Sequence, residues 1–176
     1  MLSLGSGVIK VAPWVAACSP AAISTTYPTF TAIGESGGDI EWDVDFSMKE
    51  FFGQSAFAVA RGYYQGKITI KAKKVELYPA NLSEFLNAVH TTSGTPTADV
   101  YSLTATTLPV PLALQFVHTR SDVPNKFVTV YLFKAFTPQL NFPFHREDIG
   151  QQDWTFEAIA DRTMTNSDVA RVEATQ

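Results

Sequence analysis

The chain has 176 residues, a length at which one domain can bury a hydrophobic core without disulfides or metals. Its 45% hydrophobic and 17% charged residues exclude a disordered segment, and a formal net charge of -4 gives no general attraction for the phosphates of nucleic acid. The one cysteine, Cys18, excludes an intramolecular disulfide and a thiolate metal cage.

Residues 1–38 are rich in Ala, Ser, Thr, Pro and Gly, and the prolines among them prevent a long helix. The sequence from Val15 to Cys18 fits the small-residue pattern that precedes a bacterial lipoprotein cysteine. However, only Lys10 supplies a positive charge before it, and the short apolar run that follows Lys10 contains Pro13. We therefore expect an extended N-terminal arm over residues 1–38, and not a signal peptide.

From Asp39 the sequence alternates between apolar and acidic residues, which is typical of a half-buried strand. The predicted apolar face consists of Ile40, Trp42, Val44 and Phe46. The opposite face carries the carboxylates of Glu41, Asp43 and Asp45. Because three carboxylates on one face repel one another, this arrangement is poor for general acid and base catalysis unless cations lie beside it.

After the sequence Phe51-Phe52-Gly53-Gln54, a second strand is expected over residues 56–64, and a third in the sequence GKITIKAKKVEL that begins at Gly66. In the third strand Ile68, Ile70 and Ala72 are predicted to point inward, with lysines pointing outward. Lys74 breaks the alternation before Val75, which predicts a β-bulge. The outward lysines could pair with the acidic strand across a sheet.

Only the segment from Asn81 to His90 has apolar residues at helical spacing, and Asn81 or Ser83 could cap it. Four later strands are predicted, over residues 99–104, 112–118, 126–136 and 154–160. Residues 162–176 are polar and are expected to form a loosely ordered C-terminal tail. This order predicts a mainly β protein, with an antiparallel β-sandwich or barrel in residues 39–161 and one flanking α-helix.

Ser36 lies in the sequence Gly-Glu-Ser-Gly-Gly, which looks like the nucleophile loop of chymotrypsin-type proteases. Those proteases carry their His and Asp before the Ser, whereas His90, His118 and His145 all follow Ser36 here. Ser36 is therefore predicted to lie in a glycine turn before a strand. No histidines have metal-ligand spacing and no glycines form a phosphate-binding pattern, so we predict no enzyme, no catalytic residue, no metal site and no cofactor.

The order of the features in this sequence is similar to that of the major tail tube proteins of tailed bacteriophages. The features are a small-residue arm, the entry IGESGGDIEWDVDF, the Phe-Phe-Gly-Gln turn, the passage GKITIKAKKVELYPANLSEFL and the late strand WTFEAIAD. The likeness spans about Thr31 to Asp161. It implies a small β-sandwich with one flanking helix that assembles as hexameric rings stacked into a tube. Strands of adjacent subunits would complete a barrel around the lumen through which the genome passes.

The resemblance also implies partners and a location. The protein would be a structural component of the virion tail, assembled in the host cytoplasm, and its main partner would be itself. Other tail proteins would bind it, namely the tape measure, the tail terminator and the baseplate or tip initiator. DNA would pass through the lumen without specific binding, and no membrane would be involved.

Within this interpretation, Glu41, Asp43 and Asp45 are expected to face the lumen, because carboxylates would repel phosphates and let the DNA slide. The alternative is an ordinary solvated strand face that pairs with lysines.

Four aromatic residues, expected in loops, are candidates for contacts between subunits or rings, where such side chains are enriched. They are Phe51, Phe52, Tyr63 and Tyr64. Packing in the core is the alternative for these side chains.

Two other functions fit the sequence. One is the related tube component of bacterial contractile secretion systems, which resembles tail tubes in fold and ring form. The other is a monomeric β-sandwich that binds a carbohydrate or peptide through exposed Trp14, Tyr27 or Tyr131. The prominent N-terminal arm favours the tail tube, since a permanent tube must lock its rings together.

Overall fold

The computed structural model describes residues 2–16, 29–52, 58–78, 83, 89–102, 110–137, 152–160 and 169–175. This part of the chain is mainly β. Its strands are β1 (Leu2–Leu4), β2 (Gly7–Pro13), β3 (Thr31–Ser36), β4 (Ile40–Phe52), β5 (Ala58–Leu77), β6 (Val89–Ser93), β7 (Ala98–Ser102), β8 (Leu112–Thr119), β9 (Phe127–Phe136), β10 (Gln152–Ala158) and β11 (Ala170–Ala174).

Six of these strands form a closed antiparallel β-barrel. Their order is β5-β10-β9-β8-β2-β3, and β3 pairs again with β5, which closes the ring. At this closure a Cβ atom on Gly34 would overlap the backbone carbonyl oxygen of Glu76, so the close approach of β3 to β5 requires glycine. β4 pairs with β5, β1 with β4 and β11 with β9, while β6 and β7 form a separate two-stranded sheet.

The hydrophobic core fills the interior of the barrel. Because successive side chains of a strand point to opposite faces, each barrel strand sends alternate residues inward. The buried set includes Ile9, Val11, Ile33, Ile70, Ala72, Val75, Leu114, Phe116, Val130, Leu132, Trp154 and Phe156. A second buried cluster on the opposite face of β2, β8 and β9 comprises Ala12, Ala113, Tyr131 and Phe133, with Phe30 packed against it.

The strands predicted over residues 99–104, 112–118, 126–136 and 154–160 are confirmed as β7 to β10. The predicted second and third strands are one continuous strand, β5. The placement of the four candidate aromatic residues in loops was wrong, because Phe51 and Phe52 end β4 and Tyr63 and Tyr64 lie within β5. The pairing of β4 with β5 continues across the region that had been taken for a turn and a poorer strand.

The predicted β-bulge is confirmed. Val75 of β5 pairs with Gln152 of β10, whereas Ala72 pairs with Trp154, so β5 carries one extra residue between these pairs. Lys74 lies in this bulge and adopts a φ of 52°, in the left-handed region, which accommodates the extra residue. Ala72 and Val75 are both fully buried despite their odd spacing, which is the change of face that the sequence predicted.

The extended arm over residues 1–38 is not confirmed. Its described residues include β1, β2 and β3, and Ile9, Val11 and Ile33 are buried in the barrel. Backbone pairing with β8 and β5 gives these small and polar segments a place in the sheet that their composition did not indicate. Likewise, the expected loose tail contains β11, which pairs with β9.

The flanking helix is not confirmed either. Of residues 81–90, only Ser83, Val89 and His90 are described. The last two begin β6, so the predicted end of the helix at His90 was wrong. The sequence VHTTS is rich in β-branched residues, which favour a strand once a partner such as β7 is available.

Candidate functional site

Ser36 lies where β3 passes into β4 along one edge of β5. Ala72 and Val75 of β5 pair with β10 on their other edge, so β3 and β4 share the remaining edge. Between them Gly37 and Gly38 donate their N–H groups to the carbonyl oxygens of Lys74 and Lys73, at 3.0 and 3.2 Å. The predicted glycine turn before a strand is therefore confirmed, and it faces the β5 bulge.

The contacts of Ser36 are structural. Its side chain is 2% exposed, and its hydroxyl oxygen lies 2.7 Å from the Lys73 carbonyl oxygen and 2.8 Å from that of Gly38. A nucleophilic serine needs a base within hydrogen-bond reach, whereas both of these partners are backbone acceptors. The hydroxyl ties the β3–β4 junction to β5.

Replacing Ser36 with alanine is expected to lower the free energy of unfolding by about 1 kcal/mol, because a part-buried hydrogen bond to β5 is lost. Equilibrium urea denaturation followed by circular dichroism measures this change. Ser93→Ala, on an exposed strand, is the matched control and should leave the midpoint unchanged. Equal stability of the two variants would show that the Ser36 contact contributes nothing.

The three carboxylates chosen from the sequence lie on the face of β4 that points away from the core and continues the outer wall of the barrel. Ile40, on the opposite face of β4, is 1% exposed, so the alternate residues point away from the core. In register across the strand pair, Glu41 lies opposite Lys71, Asp43 opposite Thr69 and Asp45 opposite Lys67. The structure therefore brings the acidic strand and the lysine-rich strand side by side, as the sequence predicted.

Ion pairs neutralise part of this outer wall. Lys73 pairs with Glu41, and the hydrogen bond and negative charge of that carboxylate raise the pKa of Lys73 above its usual value. Lys67 pairs with Glu157 of β10, with 2.5 Å between Nζ and Oε1. Among the described residues, neither Asp43 nor Asp45 takes part in an ion pair. The wall is thus a row of lysines on β5 flanked by carboxylates on β4 and β10.

The paired strands β4 and β5 extend beyond the barrel. β10 pairs with β5 only from Ile68 to Val75, and β1 pairs with β4 only from Ile40 to Trp42. In the described part of the chain, residues 43–52 of β4 pair only with β5, and residues 58–67 of β5 pair only with β4. We call this two-stranded segment the β4–β5 ribbon, and at about 3.3 Å per residue it is about 30 Å long.

The β4–β5 ribbon carries exposed apolar side chains on the face that continues the core face of β4. Val44 is 40% exposed, Phe46 is 58% exposed and Met48 is 53% exposed. We call these three residues the ribbon stripe. The ring of Phe46 lies over Gly66 of β5, where an added Cβ would come within 3.2 Å of the ring. The ring of Phe46 therefore rests on its own strand pair, and a large part of each stripe residue is exposed to solvent.

The ribbon stripe was missed in the sequence, where Val44 and Phe46 were assigned to the core-facing side of a half-buried strand. The face was predicted correctly, but the barrel wall ends before the strand does. The available signal was length, since apolar residues continue at alternate positions to Met48 in a strand of 13 residues. Strands in globular proteins are usually about five or six residues long.

The four candidate aromatic residues all lie on the β4–β5 ribbon. Phe51 pairs with Ala60, Phe52 with Ala58, and Tyr63 lies opposite Met48 of the ribbon stripe. Their side chains are outside the described part of the structure. Two sets of residues that the sequence analysis treated separately, the alternating strand and the aromatic candidates, thus belong to one projecting element.

A second exposed element is the β6–β7 hairpin. Every residue of β6 is exposed, and Val89 and Val100 are 60% and 39% exposed. A two-stranded hairpin is marginally stable by itself in water. Both this hairpin and the ribbon therefore present surface that a neighbouring molecule could cover.

The described residues include neither a candidate metal site nor a candidate membrane-spanning helix. No group of three or more His, Cys, Asp or Glu side chains there could hold a metal ion. No helix in the same part of the chain has the length and apolar character needed to cross a membrane. Comparison with protein-family models and with curated proteins gave no match to this chain. The function must therefore be inferred from the residues and the fold.

Proposed function

We propose that this protein is a structural component of a bacteriophage virion, which assembles as hexameric rings stacked into the tail tube. The observation that carries the proposal is the ribbon stripe, an apolar surface on a strand pair that projects beyond a closed barrel. A surface of this kind indicates a protein contact, because exposed apolar patches are usually covered by a partner. The partner proposed is a second copy of the same chain.

Self-assembly fits the division of the molecule into a barrel and projecting elements. The barrel has its own buried core and can fold as a unit. The ribbon adds two long strand edges that pair with no further strand among the described residues. Edges of this kind favour pairing with another chain. A repeated contact between identical chains that closes by rotation generates a ring.

The ring size, the stacking and the virion location come from the resemblance to major tail tube proteins. The same resemblance supplies the further partners, which are the tape measure, the tail terminator and the baseplate or tip initiator. In this role the tube conducts DNA during ejection, without specific binding and without a catalytic step. The net charge of -4 agrees with a conduit that does not retain DNA.

We further propose that Glu41, Asp43 and Asp45 face the lumen. Asp43 and Asp45 are exposed on the face of the β4–β5 ribbon opposite the ribbon stripe and form no ion pair within the described residues, so their charges remain available to repel phosphates. Glu41 is partly neutralised by Lys73 and would contribute less. A reconstruction of the tube that placed this face on its outside would rule the assignment out.

Phe51, Phe52, Tyr63 and Tyr64 are proposed as contacts between subunits or rings. Their position on the β4–β5 ribbon, beside the ribbon stripe, supports this role. Aromatic side chains bury large areas at the centre of interfaces and often dominate their energy.

We expect the purified protein to form rings or hollow tubes as its concentration rises. Negative-stain electron microscopy over a concentration series, with mass measurement on the same samples, tests this directly. Rings of six subunits would support the proposed stoichiometry. A strictly monomeric protein at every concentration, including after addition of preformed tail tips as nuclei, would contradict the proposal.

The monomeric binding module has less support. Tyr131, one of its three expected contact residues, is 9% exposed and packs against Phe30, so its assignment as an exposed residue was wrong. Trp14 is only partly exposed and has the Lys134 ammonium 4.0 Å from its ring centroid, and Tyr27 lies outside the described residues. The tube of a contractile secretion system remains the second candidate, since the ribbon stripe would serve it equally.

A further inference from the structure

β10 and β11 lie along the same edge of β9 and form one interrupted strand. Ala158 of β10 pairs with Ala135, and Ala170 of β11 pairs with Leu132, both in the antiparallel sense. β8 occupies the other edge of β9. The edge opposite β8 is thus covered first by β10 and then by β11.

The chain between these two strands leaves β9 and returns to it at adjacent residues. Ile159 donates its N–H to the Lys134 carbonyl oxygen at 2.8 Å, and Phe133 donates its N–H to the Val169 carbonyl oxygen at 3.2 Å. Residues 160–168 join these two points. Extended at about 3.4 Å per residue they could reach about 30 Å, far more than the spacing of neighbouring residues on β9. The connection is long enough to carry β11 to another molecule.

β11 is attached to the barrel mainly through its backbone, with Ala170 packed against the core. None of its five residues is buried, and Val172 is 46% exposed, whereas Trp154 and Phe156 of β10 are each 1% exposed. A strand without buried side chains gains little from the hydrophobic effect. Segments of this type open at the lowest free-energy cost.

One side chain of β11 also lies against a side chain of β9. Glu173 lies near the hydroxyl of Tyr131 of β9, and that hydroxyl accepts a hydrogen bond from Gln115 Nε2 at 3.2 Å. Burial is the main cause that raises the pKa of Tyr131, so its hydroxyl stays protonated and available as a donor. Arg171 pairs with Glu173 within the strand, at 2.6 Å. Glu173 and Tyr131 thus add a side-chain contact to the backbone pairing of β11 with β9.

We propose that β11 is exchanged between copies of this chain, so that Ala170–Ala174 of one molecule pairs with β9 of its neighbour. The neighbour's strand has the same sequence, so every register pair and the contact of Glu173 with Tyr131 are reproduced at little energetic cost. The exchange links adjacent subunits through β11. A subunit can then leave the ring only after β11 detaches locally from the β9 strand of its neighbour. It rests on the proposed self-assembly, because it needs neighbours at high local concentration.

A cysteine pair across β9 and β11 tests the exchange. Val128 and Ala174 are register partners. The pairs on either side of this one in the ladder, such as Phe127 with Thr175, are hydrogen-bonded, so Val128 and Ala174 form a non-hydrogen-bonded pair with close Cα atoms. That spacing suits a disulfide. The variant is V128C/A174C in a C18S background.

The matched control joins two strands inside the barrel. Thr119 of β8 and Phe127 of β9 are also register partners, next to the hydrogen-bonded pair of Arg120 with Lys126. Neither strand is expected to exchange, so T119C/F127C in the same C18S background should oxidise only within one chain. Circular dichroism on both variants checks that the fold is retained before oxidation.

The measurement is non-reducing denaturing electrophoresis after oxidation of assembled tubes. Exchange predicts that most V128C/A174C chains become covalent multimers larger than dimers, while T119C/F127C chains remain monomers. Tubes in which V128C/A174C chains also remain disulfide-closed monomers would overturn the exchange and leave the proposed function intact. A protein that never assembles and gives only closed monomers would overturn both.

Discussion

Replacing Trp154 with alanine is expected to lower the free energy of unfolding by about 3 to 5 kcal/mol. Trp154 is 1% exposed and packs edge to face against Phe156, with ring centroids 5.9 Å apart. The substitution leaves a cavity inside a closed barrel, whose hydrogen-bonded wall cannot easily collapse to fill it. Equilibrium urea denaturation, followed by far-ultraviolet circular dichroism, measures the loss.

The matched control for this prediction is Ile159→Ala, just beyond the end of the same strand. Ile159 is 47% exposed, so its truncation removes little buried surface and should change the free energy of unfolding by less than about 1 kcal/mol. Domains are typically stable by about 5 to 15 kcal/mol, so a loss of this size is a large fraction of the total stability. Two variants of equal stability would contradict the assignment of Trp154 to the core.

Local patterns in the sequence predicted local structure well. The extra residue at Lys74 predicted the bulge because the apolar period of two breaks at one position and resumes at Val75. The position of Ser36 between glycines predicted a turn before a strand, and the order of the histidines argued against a nucleophile. The pairing of the acidic strand with the lysine-rich strand followed from complementary charge on consecutive strands.

The closure of the barrel could not be predicted in the same way. β3 pairs with both β2 and β5, and its sequence TAIGES contains a glycine and small residues that resemble a linker. β11, with the sequence ARVEA, is equally uninformative by itself. Both segments become strands because a distant edge offers hydrogen bonds, which is tertiary context that overrides local preference. The sequence therefore suggested a terminal arm and a tail where the structure has strands.

The sequence likewise predicted one part of the candidate site and not the other. The sequence singled out the carboxylates of β4 and the aromatic residues of the ribbon by residue type alone. It could not show that the ribbon leaves the barrel, because this depends on where β10 stops pairing with β5. The exposure of Phe46 and Met48 follows from that end point, and the length of the alternating run was the sign of it in the sequence.

Replacing both Phe46 and Met48 with serine is expected to abolish assembly at concentrations where the unchanged protein forms rings or tubes. About half of each side chain is exposed, so covering both in an interface contributes about 2 to 3 kcal/mol. That loss raises the concentration needed for assembly by about 30-fold to 150-fold. Electron microscopy and mass measurement over a concentration series give the threshold for each variant.

The control replaces Asp43 and Asp45 with serine, on the opposite face of the same strand and with the same number of changes. If the ribbon stripe forms the contact, this variant assembles near the original threshold, while the Phe46 and Met48 variant stays a folded monomer with an unchanged unfolding midpoint. Substituting Phe51 and Phe52 with serine should give the same result as changing the stripe, since these residues continue the ribbon. If the Phe46 and Met48 variant assembled at an unchanged threshold, the ribbon stripe would be excluded as the interface. Unfolding of the monomer would instead place Phe46 and Met48 in a core that the isolated barrel needs.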